Sequence, residues 1–371
     1  MIEEHYDLVI LGSGPAGASC ALSLRDSGLR IAIIEKQTFP RDKVCGDAIP
    51  GEAIKTLKSI IPDFDKEFGK VIQKLITRGS VFHYNNRALH QHWKNEAYTC
   101  RRLYFDDFLL TLASKLPLTK VYQGKEIAEI GRIPGGFRLQ PNDESPGISC
   151  KMLVGADGIN GLSSRVLGGN KISRRHHVSV ARAYFQGVSG VREDLTEFYA
   201  GRHYGSGYFW IFPIYGGLVN AGFGMLTEDI ISANINFEDA FYDIIRKKGL
   251  ISEKFRRAEQ FSPLEYGGIP LGSLCPVRSG ERFVLTGDSA SLADPLSGAG
   301  IGNAVISGNA AARQVLRCFT SGDFSSSAMK AYDLDIKNKP GKELRRNTLI
   351  RGAFSQLPII PGLVFMFGKR A

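Results

Sequence analysis

The sequence predicts an α/β protein in which a parallel, doubly wound sheet is interrupted by a β-rich insertion and followed by a helical C-terminal segment. Three observations predict it. Residues 1–35 give a strand, a glycine-rich turn, a helix, a second strand and an acid, in that order. Two later apolar strands also run straight into Gly-Asp turns. Between them, Val178–Gly224 is dense in aromatic, glycine and β-branched residues, the composition of a sheet.

The first element is a buried strand over Tyr6–Leu11, which Gly12-Ser13-Gly14-Pro15-Ala16-Gly17 follows at once. Ala18–Asp26 is helical in pattern, Gly28 breaks the helix, and Arg30–Ile34 is a second apolar strand closing on Glu35 and Lys36. This is the Rossmann-like dinucleotide-binding fingerprint in its required context. Gly12 permits the tight turn, Gly14 lets the backbone approach a pyrophosphate, and Gly17 lets helix and strand pack closely. The helix N-terminus around Ala16 offers free N–H groups and a positive dipole end. Glu35 stands where an acid accepts from ribose hydroxyls. Further on, Tyr104–Leu116 reads as an amphipathic helix, and Val121–Ile130 with Gly136–Leu139 as a hairpin. Cys150–Val154 reads as a short buried strand, Phe237–Lys247 as a helix, Phe283–Thr286 as a strand and Gly302–Phe319 as a long helix. The dinucleotide domain is therefore discontinuous, over 1–75, 96–170 and 272–330. A substrate domain takes 76–95 and 171–271, and a helical tail takes 331–371.

Composition narrows the function. With 371 residues, 43% of them hydrophobic, the chain can hold two domains. Met1 lies almost against the first strand, which leaves no room for a signal peptide, and no apolar run reaches a membrane span. A cytoplasmic protein, at most peripheral to a membrane, is expected. The six cysteines are scattered without a CxxC pair, so zinc and iron–sulfur sites have no support, and no metal is expected. The net charge of +10 is dispersed and comes with no nucleic-acid motif. An anionic ligand, an anionic lipid surface or a generally basic surface are the readings left. In the tail, Lys337–Arg351 is basic and Phe354–Phe367 apolar. This suits either a membrane-surface segment or a helix pair packed on the substrate domain.

The later motifs carry the chemistry. Val154-Gly155-Ala156-Asp157-Gly158 ends one strand in a turn whose Asp can bind loop amides. Leu285-Thr286-Gly287-Asp288-Ser289-Ala290 ends another and continues through Asp294-Pro295 and Ser297-Gly298-Ala299-Gly300-Ile301 into a helix, whose N–H groups can face an anionic ligand.

With these three motifs in order, the chain resembles the glutathione-reductase-type flavoproteins over about residues 5–320, in the branch of aromatic hydroxylases, flavin halogenases and geranylgeranyl reductases. The resemblance implies bound FAD. Gly12, Gly14 and Gly17 would hold its pyrophosphate and Glu35 its adenosine ribose. Asp288 would contact the ribityl and pyrophosphate region, and Pro295 through Asn303, including Gly298, Gly300 and Ile301, would lie along the flavin ring. Arg102 stands in Arg102-Leu103-Tyr104-Phe105-Asp106, similar to the branch's Arg-x-x-Phe-Asp segment, where the arginine also reaches FAD. Lys43-Val44-Cys45-Gly46-Asp47 resembles the Lys-x-Cys-Gly signature of geranylgeranyl reductases, which implies that Cys45 and Gly46 lie near the isoalloxazine. Tyr208-Phe209-Trp210-Ile211-Phe212-Pro213 resembles their Tyr-x-Trp-x-Phe-Pro motif, which implies a lipid pocket lined by Tyr208, Trp210, Phe212 and Pro213. Aromatic rings suit a prenyl chain through large apolar area of fixed shape.

The implied reaction is reduction of an isoprenoid or prenyl-lipid double bond by hydride from reduced flavin. NAD(P)H or another reduced carrier would be the electron donor, and Cys45 and Tyr208 are the candidate proton donors. Basic neighbours and a Gly-Asp turn predict a lowered Cys45 pKa or close ligand contact. Gly298-Ala299-Gly300 departs from the reductases' Gly-Glu-Gly and removes a carboxylate. That leaves a second expectation, an FAD-dependent monooxygenase or halogenase acting on an aromatic or hydrophobic small molecule. A third is a flavoprotein that carries a prenyl lipid or senses redox state without turnover.

Overall fold

A computed structural model describes residues 4–84, 87–201, 204–247 and 249–356. Two sheets organise them. The first is built on β1 (Glu4–Leu11), β2 (Ile31–Ile34), β3 (Thr119–Tyr122), β4 (Ile148–Gly155) and β5 (Phe283–Leu285). They lie side by side as β5-β4-β1-β2-β3, every pairing parallel. Leu8, Val9, Ile10 and Ala32 through Ile34 are fully buried, as expected of strands covered on both faces. Helix α1 (Pro15–Ser23) follows β1, α2 (Arg102–Ser114) precedes β3, and the long α3 (Ile301–Ser321) follows β5 and packs on α1.

The second sheet takes strands from two separated stretches, 74–100 and 177–270, plus the short Ala48–Ile49. Lys74–Tyr84 pairs with Arg87–Cys100 on one side and, in parallel, with Leu195–Ala200 on the other. Tyr208–Ile214, Leu218–Leu226 and His177–Gln186 continue the sheet antiparallel. One face is covered by helices Phe237–Lys247 and Gly249–Phe255, where Phe209, Ile211, Phe223 and Met225 pack with Phe241, Ile244, Ile251 and Phe255. Tyr208, Trp210 and Phe212, on the alternate positions, belong to a separate apolar cluster with Val44, Val178, Val180, Phe198 and Ile269. The strand is therefore apolar at every position because it faces two different surroundings.

Three expectations are corrected. Helix α1 stops at Ser23, and Leu24–Ser27 forms a turn in which Leu24 N–H donates to Ala21 and Ser27 N–H to Leu24. Val121–Ile130 is not one arm of a hairpin. Thr119–Tyr122 lies parallel beside β2, left-handed Gly124 turns the chain, and Ile127–Ile133 then pairs with Gly136–Pro141. The C-terminal helices Ser326–Asn338 and Gly341–Gln356 pack chiefly on the first sheet's core, and the last of them also reaches the substrate domain, where Arg351 Nη2 donates to the Arg175 carbonyl at 3.4 Å. Met329, Tyr332, Ile336 and Leu344 are buried in that core, and Tyr332 Oη donates to the Leu285 carbonyl at 2.6 Å. Most of the apolar tail, 357–367, lies outside the described residues.

That contact makes the helices part of the core. Tyr332→Phe should lower stability by about 1 kcal/mol through the lost hydrogen bond, and Tyr332→Ala by about 3–5 kcal/mol through the cavity. Urea unfolding checks this, and wild-type midpoints for both variants would detach the helices from the core.

Candidate active site

The parallel strands deliver their turns to one edge. There Gly12 N–H donates to Ile34 O at 2.8 Å, Ala156 N–H to Leu11 O at 2.7 Å and Thr286 N–H to Gly155 O at 2.8 Å. The three sequence motifs are thereby stitched side by side. Gly12 is left-handed (φ +98°), and a Cβ on it would lie 2.4 Å from the Ala156 carbonyl oxygen. A Cβ on Gly17 would lie 1.9 Å from Gly12 O. Both glycines are thus required by close approach of backbone to backbone. Ala16 is buried, and its methyl faces Gly287.

Gly14 differs, because a Cβ there would enter space faced by two guanidinium groups, Arg41 Nη2 at 3.9 Å and Arg102 Nη2 at 4.0 Å. Both arginines converge on fully buried Asp106. Arg102 Nε and Nη2 donate to its two oxygens at 2.7 and 2.6 Å, and Arg41 Nη1 donates at 2.6 Å. Burial alone would raise the Asp106 pKa, but Arg102 and Arg41 outweigh it and hold the carboxyl below its ordinary range. Two cations against one anion leave one net positive charge beside the N-terminus of α1, which has no side-chain cap. The arrangement suits a pyrophosphate.

Glu35 is buried, and Oε2 accepts from Ser13 N–H and Ser13 Oγ, both at 3.0 Å, while Oε1 accepts from Gln37 N–H at 3.0 Å. The acid braces the glycine turn and retains lone pairs for a ribose. Lys36 is exposed just past β2. Asp157 is occupied within the protein, accepting from Ser163 N–H at 2.9 Å, Ser163 Oγ, and Ser289 Oγ at 2.9 Å. Asp288 pairs with Lys43 Nζ at 3.0 Å, which ties the last motif to the Lys43–Asp47 segment.

Pro295 through Ile301 forms a loop organised by buried Asp294. Its Oδ1 accepts from Leu296 N–H, Ser297 N–H and Ser297 Oγ at 2.8–3.0 Å, and its Oδ2 accepts from Asn347 Nδ2 of the last helix. Pro295 and Ile301 are buried, and Gly298 and Gly300 half-buried. Tyr208 Oη donates to the Ser297 carbonyl, so the aromatic strand touches this loop directly. Burial raises the Tyr208 pKa.

Cys45 and Gly46 sit against the same strand. A Cβ on Gly46 would lie 2.8 Å from Phe212 Cε2 and 3.5 Å from Trp210 Nε1. Trp210 and Phe212 are buried to 5 and 6% exposure, and Pro213 is buried beyond them. The indole lies over Gly222, where a Cβ would collide with Cζ2 at 1.9 Å. Trp210 Nε1 donates to Asn220 Oδ1 at 2.9 Å, and Asn220 Nδ2 donates to Cys45 O at 2.7 Å. The expected low Cys45 pKa is corrected, because burial raises it and the nearby Arg102 offsets that only partly. Cys45 is a neutral thiol at pH 7.

The structure thus brings Gly12, Gly14, Ala16, Gly17, Glu35, Arg102, Asp157 and Asp288 to one sheet edge, and Cys45, Gly46, Tyr208, Trp210 and Phe212 to an adjoining aromatic wall. Sequence reasoning gave no role to Arg41, Asp47, Tyr184 or Asn220. Asp47 was visible within the Cys45-Gly46-Asp47 run. Asn220 and Gly222 could have been found as the small positions that face Phe212 and Trp210 across the antiparallel pair.

The model of an FAD binding domain family matches residues 5–212. The chain belongs to that family. It is an FAD-dependent oxidoreductase, and its relatives include geranylgeranyl-type reductases. The digeranylgeranylglycerophospholipid reductase of Methanocella arvoryzae is 26% identical over 359 residues, covering 94% of this chain and 87% of that protein. A solved geranylgeranyl bacteriochlorophyll reductase-like protein from Thermoplasma acidophilum shares the fold with a TM-score of 0.83, at 24% identity, covering 96% of this chain and 89% of the other. The halogenase PltM, solved with FAD, gives a TM-score of 0.77 at 20% identity, covering 93 and 75%.

The open face of Gly14 and its two guanidinium groups fit the FAD pyrophosphate. Arg41→Ala and Arg102→Lys should each weaken FAD binding about tenfold or more, since each removes a charge-assisted or bidentate partner. Titration of deflavinated protein with FAD measures this. Unchanged affinity in both variants would exclude the arginines from the cofactor site.

Proposed function

We propose that this flavoprotein reduces carbon–carbon double bonds of an isoprenoid or prenyl-lipid substrate. The observation that carries the reading is the wall formed by Tyr208, Trp210 and Phe212, seated on the Cys45-Gly46 turn and joined to the Pro295–Ile301 loop through Tyr208 and Ser297. Ring pairs extend it, with Phe198 5.0 Å from Phe212 and 5.6 Å from Tyr208 between centroids. Such a surface binds a long apolar chain by area and shape and excludes water around the reacting carbons. The names of the reductase relatives support the same substrate class.

Gly12, Gly14, Gly17, Glu35, Arg41 and Arg102 would hold FAD, with Asp288 and the Pro295–Ile301 loop along it. Reduced FAD supplies the hydride when bound. The protein's part is to hold the alkene against it, because an unactivated double bond is a poor electrophile and alignment has to carry much of the effect. Cys45 and Tyr208 are protonated at neutral pH, which burial reinforces, and they lie in the turn under the wall and on the wall itself, so either can donate the proton that completes the addition. NAD(P)H or another reduced carrier recharges the flavin. A prenyl-lipid substrate would be membrane-borne, and exposed Lys342, Arg345 and Arg346 beside exposed Leu349, with Glu343 paired to Arg346 at 3.3 Å, favour peripheral contact with an anionic surface.

The test is anaerobic. The purified yellow protein is reduced with dithionite, freed of excess, and mixed with geranylgeranyl diphosphate or digeranylgeranylglyceryl phospholipid. Flavin reoxidation with product mass rising in steps of two hydrogens is expected. A flavin that stays reduced with all these lipids until oxygen is admitted would shift the assignment to a monooxygenase or halogenase. Cys45→Ser should keep FAD but lose most of the reoxidation rate, and full activity would remove Cys45 from the reaction.

A further inference from the structure

Asp47 follows Cys45 and Gly46 and has no role in the account so far. It is fully buried, and its backbone is left-handed (φ +63°), uncommon for a residue other than glycine. Its side chain joins three parts of the fold. Oδ2 accepts from Tyr184 Oη at 2.6 Å and from Asn220 Nδ2 at 2.8 Å, both on the second sheet. Oδ1 accepts from the Arg102 amide at 3.2 Å, at the start of α2. Its carbonyl accepts from Cys100 N–H at 3.0 Å. Asn220 is shared, because the same amide donates to Cys45 O and accepts from Trp210 Nε1.

We propose that Asp47 is a positioning residue: its buried carboxylate latches the Cys45-Gly46 turn onto the Trp210–Phe212 wall and thereby fixes where a prenyl double bond lies against the cofactor. The part concerning the prenyl bond rests on the function proposed above; the latch does not. A buried carboxylate is costly unless hydrogen-bonded, and bonds to an ionised acceptor are stronger than those to a neutral one. Asparagine in place of Asp47 would keep the shape, lose the charge, and present an N–H₂ where donors now point.

The groups facing Asp47 are Arg182, Tyr184, Asp42, Cys45, Cys100, Arg101 and the amide of Arg102. Arg182 stacks on Tyr184 with its guanidinium carbon 4.3 Å from the ring centroid and lies 3.4 Å from Asp42. Burial pushes the Asp47 pKa up to about 6, against the pull of Arg182, Tyr184 and Asn220. The carboxylate is therefore charged at neutral pH, held there by its donors against the cost of burial.

Thiol labelling reads the latch without turnover. The holoenzyme carrying Cys275→Ser, which removes the exposed thiol, is treated with 4,4′-dithiodipyridine, and each cysteine is followed by peptide mass spectrometry. Rates are normalised to a free thiol at pH 7. In Asp47→Asn, Cys45 should label about tenfold faster or more, with buried Cys20, Cys150 and Cys318 unchanged. Tyr184→Phe, which leaves the carboxylate in place, should give a smaller rise at the same site and serves if Asp47→Asn does not fold. Equal acceleration at all the buried cysteines, or no change at Cys45 in either variant, overturns the latch. Latch behaviour in a protein that reduces no prenyl lipid leaves the latch standing and overturns the substrate reading, and with it the placing of a prenyl bond.

Discussion

Parallel pairing of β1 with its neighbours on both sides is the constraint on which the site depends. Because β1, β4 and β5 run in one direction, their C-terminal ends fall on one edge, and three glycine-containing turns far apart in sequence become neighbours. The backbone bonds from Gly12, Ala156 and Thr286 hold those turns in contact, and the tight approaches at Gly12 and Gly17 leave no room for side chains between them. Ligand sites at the carboxyl edge of such sheets follow from this geometry. No residue of the cradle could act from its own segment alone, since Arg41, Arg102 and Gly14 come from three separate segments that only the fold brings together.

Charge is arranged on that frame with consistent economy. Asp106 is fully buried but meets two guanidinium groups, so the local excess is positive and faces the open side of Gly14. Asp157 is half-buried and Asp294 buried, and both accept from backbone amides and hydroxyls, which turns them into braces for the two later loops. Among the described residues no guanidinium pairs with the Asp47 side-chain oxygens, which accept from Tyr184, Asn220 and a backbone amide, so burial prevails and its pKa rises while that of Asp106 falls. A carboxylate in a turn and one on the neighbouring helix α2 thus carry opposite shifts, set by what each is paired with.

How much of this the sequence revealed depends on the range over which each signal acts. The fingerprint was legible because strand, turn, helix and acid lie within 35 residues and each has a local preference. The aromatic alternation at Tyr208–Phe212 was legible as a wall, but not its two-sided surroundings, which need the helices at 237–255 and the loop at 44–46 to be in place. Asp106 stood inside a motif already noticed, yet its convergence with Arg41 requires α2 to pack on α1. Tyr184 and Asn220 carried no local signal, since an ordinary strand residue becomes functional only through cross-strand register. The Cys45 pKa was misjudged for the same reason: neighbouring lysine and arginine letters suggested stabilised thiolate, whereas burial beside Phe212 dominates.

The Pro295–Ile301 loop joins these parts mechanically. Asp294 anchors it from within, Asn347 of the C-terminal helix holds it from one side, and Tyr208 of the second sheet holds it from the other. Tyr332 in turn roots the C-terminal helices on β5. The loop that the family resemblance assigns to the flavin ring is therefore fixed to the aromatic wall and to the first sheet at once, so wall and cofactor edge cannot shift independently. For a substrate with little intrinsic electrophilicity, an error of about 1 Å in placement is expensive. A framework that cross-links the two surfaces through Ser297, Asp294 and Asn347 limits that error more effectively than added contacts to the flexible chain itself, because its ordering is completed on folding and need not be repeated at each binding event.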